Sequence, residues 1–363
     1  KATTFATTSS SSKINCDVTR KISPYDRNTD FYDEGLLVET RDFADAVAHE
    51  IIIASGRDVS TVDLAELYAI NDSLGADLRH FDFTFDDFNV SLGERVQAIC
   101  NVARVSAYRD GAVWRFTRDE EKPFREALFN RRNMPGLDNS TQGWQLQRPD
   151  DKDSISLTYV DPDDNVERII YRRISGGSIL SDLPGNQPLD IKLTGCRSLA
   201  QADNRADLEI RRILYQRRTV NDTVMRDGLL VGLNARVGWV DPNDTELFDG
   251  EILGFSGNDF DTSERWTPEP ATGYSVYITD NDGNPSNAVT ATARLDTEFG
   301  FTAVGLSGAY LPTGAEQAGS RYHIFKDSDS LASEFVITRR SPNSDGTVGL
   351  EMAEYVPIIY END

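Results

Sequence analysis

Three histidines and three cysteines are the residues best suited to metal or nucleophilic chemistry, and their spacing gives them little to share. His49, His80 and His323 form no HExxH pair, and none lies near a cysteine in sequence. Cys16, Cys100 and Cys196 stand 84 and 96 residues apart, which fits neither a disulfide framework nor a CxxC metal knuckle. They read as thiols packed like small hydrophobes. Gly254-Phe255-Ser256-Gly257 lacks the GxSxG spacing that lifts a serine onto a strained strand-to-helix turn, and reads as a loop. No GxGxxG or Walker loop offers a phosphate cradle. Asp280, Asp282 and Asn284 alternate as in a calcium loop. Pro285 and Ala291, however, hold the places where that loop needs Gly and Glu. Asp161, Asp163 and Asn165 fail in the same way, with Val166 and Arg172 at those places, so both runs read as hairpin turns. With 60 acidic residues, chance alone brings some carboxylates to a glycosidase separation, and no pair is singled out. The expectation is therefore a protein without catalytic, cofactor-binding or metal-ligating residues, one that is not an enzyme.

The bulk composition narrows the class further. The chain has 363 residues, 39% of them hydrophobic, enough for a sizeable core split over two to three domains. Its net charge of −23 repels nucleic-acid backbones and anionic membranes alike. Apolar runs such as Ile51-Ile52-Ile53-Ala54 are far shorter than the ~20 residues of a membrane helix. Lys1 to Ser12 is a Thr/Ser tract without the apolar core of a signal peptide, and reads as a flexible lead. Residues 241–300 hold 13 acidic residues against Arg265 and Arg294 alone. Such a run is either a solvated face or a surface built to repel something anionic.

The elements follow from hydrophobic period and capping. From Asp42 to Ala54, Phe43, Val47 and Ile51 line one helical face. Ser60 with Asp63 is capping-box-like ahead of Leu64, Leu67 and Tyr68, and Ser91 with Glu94 is the clearest box, ahead of Leu92, Val96, Ile99, Cys100 and Ala103. Asp110-Gly111 predicts a tight hairpin turn between Val105–Tyr108 and Ala112–Thr117. Ser154–Val160 and Val166–Arg173 form a second predicted pair, and Met134 to Asp153 a linker between the two. Ser198 and Gln201 predict another capping box. In the helix that follows, Leu199, Ala202, Ala206, Ile210, Ile213 and Leu214 share a face, and Arg205, Arg211, Arg212, Arg217 and Arg218 fall mainly outside it. Beyond it come strands, at 235–240, 250–255, 273–279, 299–304, 321–326 and 334–340. The fold class is α+β and β-rich, with barrel-like or sandwich-like domains and a few packed helices. Its expected divisions are an N-terminal lead with an opening strand (1–40), an α+β domain with hairpin (41–135), a β-rich domain carrying the Arg-rich helix 198–217 (136–240), an acidic β-rich insertion (241–305) and a returning β segment (306–363).

Several of these segments, in this order, resemble a known family. Phe81-Asp82-Phe83-Thr84-Phe85-Asp86-Asp87 leads into Ser91 to Arg104 and a hairpin ending at Arg118-Asp119. Asn130-Arg131-Arg132-Asn133-Met134, Ser154 to Pro162 and Gly195-Cys196-Arg197-Ser198 come next, and the run closes with Glu334-Phe335-Val336-Ile337, Asp345-Gly346, Glu354-Tyr355 and Ile359-Tyr360-Glu361. Together they are similar to the central part of host-specificity J-like tail-tip attachment proteins of siphophages, over roughly residues 40–363. The resemblance implies a homotrimeric central tail hub in the virion, at the distal end of the tail. There it would close the tube, meet the distal tail protein ring, the tape-measure protein and the tip fibre, and let DNA pass. It implies no catalytic residue. Family members usually extend beyond this length in both directions. Two other classes compete: a receptor- or carbohydrate-binding adhesin, with Trp239, Trp266, Tyr274 and Tyr277 as stacking platforms, and an envelope-degrading hydrolase.

Overall fold

The computed structural model describes residues 21–361 apart from 27, 28, 30, 33, 34, 86–88, 136–140, 145–150, 242–247, 314–317 and 330–333, with backbone alone for 31, 141–144 and 329. Cys16, the lead before residue 21, Asp86, Asp87, Asp244, Glu246 and much of the expected linker lie outside the described residues.

The described chain opens on two short ribbons. In one, β1 (Lys21–Ile22) pairs with β4 (Val38–Glu39); in the other, β2 (Tyr25–Asp26) pairs with β3 (Phe31–Tyr32). The predicted helix at 42–54 is α1 (Phe43–Ala48), continued by a π-helix over His49–Ala54. Its stripe of Phe43, Val47 and Ile51 is fully buried. In α2 (Leu64–Ser73) the cap is Asp63, whose carboxylate accepts from the Glu66 amide at 2.9 Å. Ser60, expected to cap it, instead sits in a separate short turn held by Asp58. In α3 (Leu92–Val102) both halves of the Ser91/Glu94 capping box form, satisfying amides that would otherwise lack partners. The hairpin of β5 (Val105–Asp110) and β6 (Val113–Arg118) turns at Gly111-Ala112, one residue later than expected. Only Gly111 takes a positive φ, as a turn with glycine in its first central position requires.

After β7 (Ala127–Phe129), the expected linker contains a strand, β8 (Thr141–Trp144). A four-stranded sheet then forms, in which β9 (Ser154–Val160) pairs antiparallel with β10 (Glu167–Ser175) and parallel with β12 (Pro188–Lys192), while β11 (Ser178–Ser181) covers the edge of β10. The Arg-rich helix α4 (Leu199–Tyr215) lies across it. Ala202, Ala206 and Ile210 join Phe43, Val96, Ile99, Ile155 and Leu157 in one core shared by the helices and this sheet. Leu199, expected on that face, is more than half exposed. Leu208 is buried on the other side, against Val336, Tyr355, Ile359 and Tyr360. α4 is therefore a wedge with two apolar faces.

The rest is β-structure. A six-stranded sheet has the order β7, β14 (Arg236–Trp239), β21 (Glu334–Pro342), β22 (Val348–Glu354), β13 (Arg218–Val224), β8. Between β14 and β21 the chain leaves to build a closed barrel of β15 (Phe248–Ser256), β16 (Asp259–Thr262), β17 (Tyr274–Ile278), β18 (Val289–Ala293), β19 (Gly300–Thr302) and β20 (Arg321–Lys326). Closure comes from β20, which pairs with both β15 and β17. Its interior is filled by Phe260, Trp266, Tyr274, Phe301 and Tyr322. The fold is thus α+β and β-rich, with a barrel and helices packed on sheets.

Candidate functional site

A dense arrangement of charge lies where the barrel meets the six-stranded sheet. It begins in the loop after β7. Asn133 accepts from the Asn130 amide at 2.8 Å and donates to the Leu128 carbonyl at 3.0 Å, so its side chain shapes the loop from within. Thus shaped, the loop grips the barrel. Asn130 Nδ2 donates to the Gly250 carbonyl at 3.2 Å, the Arg131 amide and Nε donate to Asp249 at 3.1 and 2.8 Å, and Arg132 pairs with Glu264 at 2.9 Å. Asp249 is almost wholly buried, and burial pushes its carboxyl above the usual carboxylate range against the pull of Arg131. Asn133 also donates to Asp227, which pairs with Arg321 of β20 at 2.5 Å.

A second layer lies beside it. Glu334 opens β21 with 1% of its side chain exposed, and receives Arg125 on Oε1 and Arg236 on Oε2. Each guanidinium also covers a tyrosine ring at 4.4 Å, Arg125 over Tyr277 and Arg236 over Tyr355. Tyr277 comes from barrel strand β17 and lies against Gly238 of β14 so closely that a Cβ on Gly238 would run into its hydroxyl. Only a glycine allows the barrel to dock at that distance. The same hydroxyl meets His323 Nδ1 at 3.1 Å. Complete burial, with Arg125 nearby, holds the pKa of His323 down to about 3, so the ring is neutral at ordinary pH. The arrangement offers neither a nucleophile nor an open cleft; what it does chemically is lock two units together.

The other candidates are scattered. His49 is buried in the helical core and His80 is half-buried beside Asp42, so the fold brings no two histidines together. Cys100 and Cys196 are buried free thiols, and burial pushes Cys196 up to about 11. Gly254 to Ser256 lie in β15, and Gly257 turns the chain into β16. Asp280 accepts the amides of Asp282 and Asn284, each at 2.9 Å, closing a turn. Asp161 likewise accepts the Asp163 amide and pairs with Arg168. Among the described residues no three His, Cys, Asp or Glu side chains are placed to hold a metal. Trp239, Trp266, Tyr274 and Tyr277 are all core residues, exposed by 3% or less, and so cannot stack on a sugar. That overturns the adhesin reading as it was placed on them. The acidic run at 241–300 is divided: Asp249 is turned into the joint, whereas Asp259, Asp261, Asp296 and Glu298 are exposed on the barrel wall. There Arg294 meets Asp261 and Asp296, and Arg265 meets Glu298.

Fold and joint together define a class: a β-rich α+β protein in which a small barrel, inserted into a sheet, is clamped to it by buried ion pairs. No family model and no curated protein matches the chain. Among solved structures it is similar to a chain in the virion of a native gene transfer agent particle, at 13% identity and a TM-score of 0.46, covering 89% of this chain and 49% of that one. It is also similar to a tail protein from Neisseria meningitidis MC58 (9% identity, TM-score 0.34, 81% and 69% covered) and to the 43 kDa tail protein of prophage MuSo2 from Shewanella oneidensis (14%, 0.33, 55% and 56%). The chain spans about half the length of the gene transfer agent chain.

Proposed function

We propose that this chain is a non-enzymatic structural protein of a phage-type tail, and that it serves as the central hub at the distal end. In this reading three copies close the tail tube, bind the distal ring, the tape-measure protein and the tip fibre, and let DNA pass. The stretches 41–135, 136–240, 241–305 and 306–363 are its working divisions, with β20 of the last one completing the barrel.

The observation that carries the reading is where the J-like segments fall. Four of them lie at contacts between parts of the fold. Asn130–Met134 grips the barrel, and Glu334 holds Arg125 and Arg236. Gly195, at φ +85°, lets the Phe81 ring occupy the space a Cβ would need, and Glu354 accepts from the Arg217 and Arg218 amides where α4 meets β13. Joints rather than reactive groups are what a mechanical hub needs. Light scattering on the purified chain, followed by electron microscopy of intact particles with an antibody against it, tests the reading. A trimer and label at the tail tip are expected. Label along the tube or on the head would defeat it.

A further inference from the structure

One turn of the fold puts large apolar side chains into solvent on a backbone that is tied down from several sides. It lies between β13 and β14 and displays Met225, Leu229 and Leu230, the last 83% exposed. Apolar groups scattered singly over a surface are ordinary, but three on one turn make a patch. The Met225 amide donates to the Asn133 carbonyl at 2.8 Å, and Asp227 is held by Asn133 and by Arg321 of β20. Arg340 donates to the carbonyls of Leu229 and Val231 at 2.9 and 2.7 Å, and Gly228 lies so close to Val224 and Val348 that a Cβ would run into them. The patch is basic. Asp227 is spent on Arg321, while Arg226 is exposed and meets no carboxylate among the described residues.

A second apolar display carries the opposite charge. The turn between β18 and β19 exposes Leu295 fully and Phe299 by half, beside the exposed Asp296 and Glu298. Arg294 is shared between Asp261 and Asp296, and Glu298 has Arg265, so carboxylates outnumber cations there. The barrel closes in the order β15-β16-β19-β18-β17-β20, which puts β19 three strands from β20 either way round. The acidic hairpin therefore lies across the barrel from the basic turn tied to β20. We propose that the two surfaces bind each other between copies of this chain, the turn at 225–230 of one copy seating on the hairpin at 294–299 of the next. Because they lie on opposite sides of one unit, the contact is head to tail, and a head-to-tail contact whose rotation closes gives a ring. Opposite charges set its register, and the covered apolar side chains supply its affinity. The contact deepens the hub reading, and rests on it only for the count of three copies. Asp259 pairs with Thr302, away from the hairpin, and stays open to solvent.

The test is light scattering on the full chain over a range of concentrations, at low and at high salt, beside Leu230→Asp and Leu295→Asp. The wild type should associate, less so as salt screens the charges. Both changes fall at open positions, so the variants should melt with the wild type, yet each should weaken association about tenfold or more. Each variant keeps the surface that the other has lost, and the two altered surfaces repel. Mixed in equal amounts, they should therefore form a dimer and stop there, with one intact contact per pair. A wild type that is monomeric at every concentration, a mixture that stays monomeric, or association that neither variant weakens overturns the proposal. A trimer indifferent to both changes would still leave the hub reading standing, whereas a head-to-tail contact in a protein labelled away from the tail tip would keep the contact and lose the hub.

Discussion

Replacing Glu334 with glutamine should damage the joint more than its small change in shape suggests. The carboxylate is 1% exposed and the two arginines that meet it are 14% exposed each. Glutamine keeps the volume and can still accept a hydrogen bond, but it leaves two guanidiniums near one another in a largely dry site. Removing one partner of a buried ion pair typically costs ~3–5 kcal/mol. Arg236 still donates to the Lys122 carbonyl at 2.8 Å, and both arginines still cover tyrosine rings, so the lower end of that range applies. A loss of about 3 kcal/mol lowers the melting temperature of a chain this size by roughly 4 °C. Arg125→Met alone should cost less, because Glu334 keeps Arg236, and the two changes together should cost less than their sum. Hydrogen exchange locates the damage: amides of β14 and β21 should lose protection while those of α1 and α3 keep it. Glu334→Gln melting with the wild type, or additive costs in the double variant, would refute the view that this triad fixes the barrel to the sheet.

Three further outcomes are expected. Gly238→Ala should destabilise by about 1–3 kcal/mol through overpacking against the Tyr277 hydroxyl; Tyr277→Phe, which removes that oxygen, should recover part of the loss in a urea titration. Because the folded pKa of His323 is about 3 and its unfolded value about 6.5, the unfolded state binds the extra proton in between. Stability should therefore fall as pH drops through that window, by at most ~1.4 kcal/mol per unit, and hold above it; His323→Phe, beside the same Arg125 and Tyr277, should show a shallower fall, and equal slopes would contradict the burial. Ile210→Asp puts a carboxylate at a fully buried position of the core under α4 and should cost several kcal/mol, with an unchanged melting curve sinking that packing.

What could be read from residue order divides by distance along the chain. The Ser91/Glu94 box and the Phe43–Val47–Ile51 stripe are local, set within one or two helical turns, and both form as expected. Gln201 shows the limit. Its spacing from Ser198 predicts a reciprocal box, and Ser198 does accept its amide, but the Gln201 side chain donates instead to the carbonyls of Leu78, His80 and Val102. Those acceptors are local to nothing in its own segment. The second apolar face of α4 is hidden for the same reason, because Leu208 needs Tyr355 and Tyr360 to return from the far end of the chain. In the barrel, β19 falls within the predicted strand 299–304, whereas β16 is so short that it turns only Phe260 and Thr262 inward, too few to establish a period of two. The joint was half visible. Asn130–Met134 stood out by resemblance, whereas Asp249 lies 118 residues from Arg131 and looked like one more member of an acidic run.

That run carries the remaining argument about charge. A carboxylate can act on a passing polyanion only from an exposed position within roughly a Debye length, about 8–10 Å at moderate salt. Asp249 cannot do so: it is spent on Arg131 inside the joint. Asp259, Asp261, Asp296 and Glu298 can, since they stand on the barrel wall, where Arg294 and Arg265 leave part of their charge uncancelled. The clamp at the joint then matters electrostatically as well as mechanically. A barrel tied to the sheet by Glu334, Asp249 and the Tyr277–Gly238 contact presents its acidic wall in one fixed direction, whereas a barrel on a loose tether would average that field away. If three such walls faced a common channel, the repulsion they impose on DNA would depend on the integrity of the joint. On the proposed hub reading, loosening the joint at Glu334 and reversing the charge of Asp259 and Asp261 should both slow DNA ejection from assembled particles, and ejection at the wild-type rate in either would remove this wall from the channel.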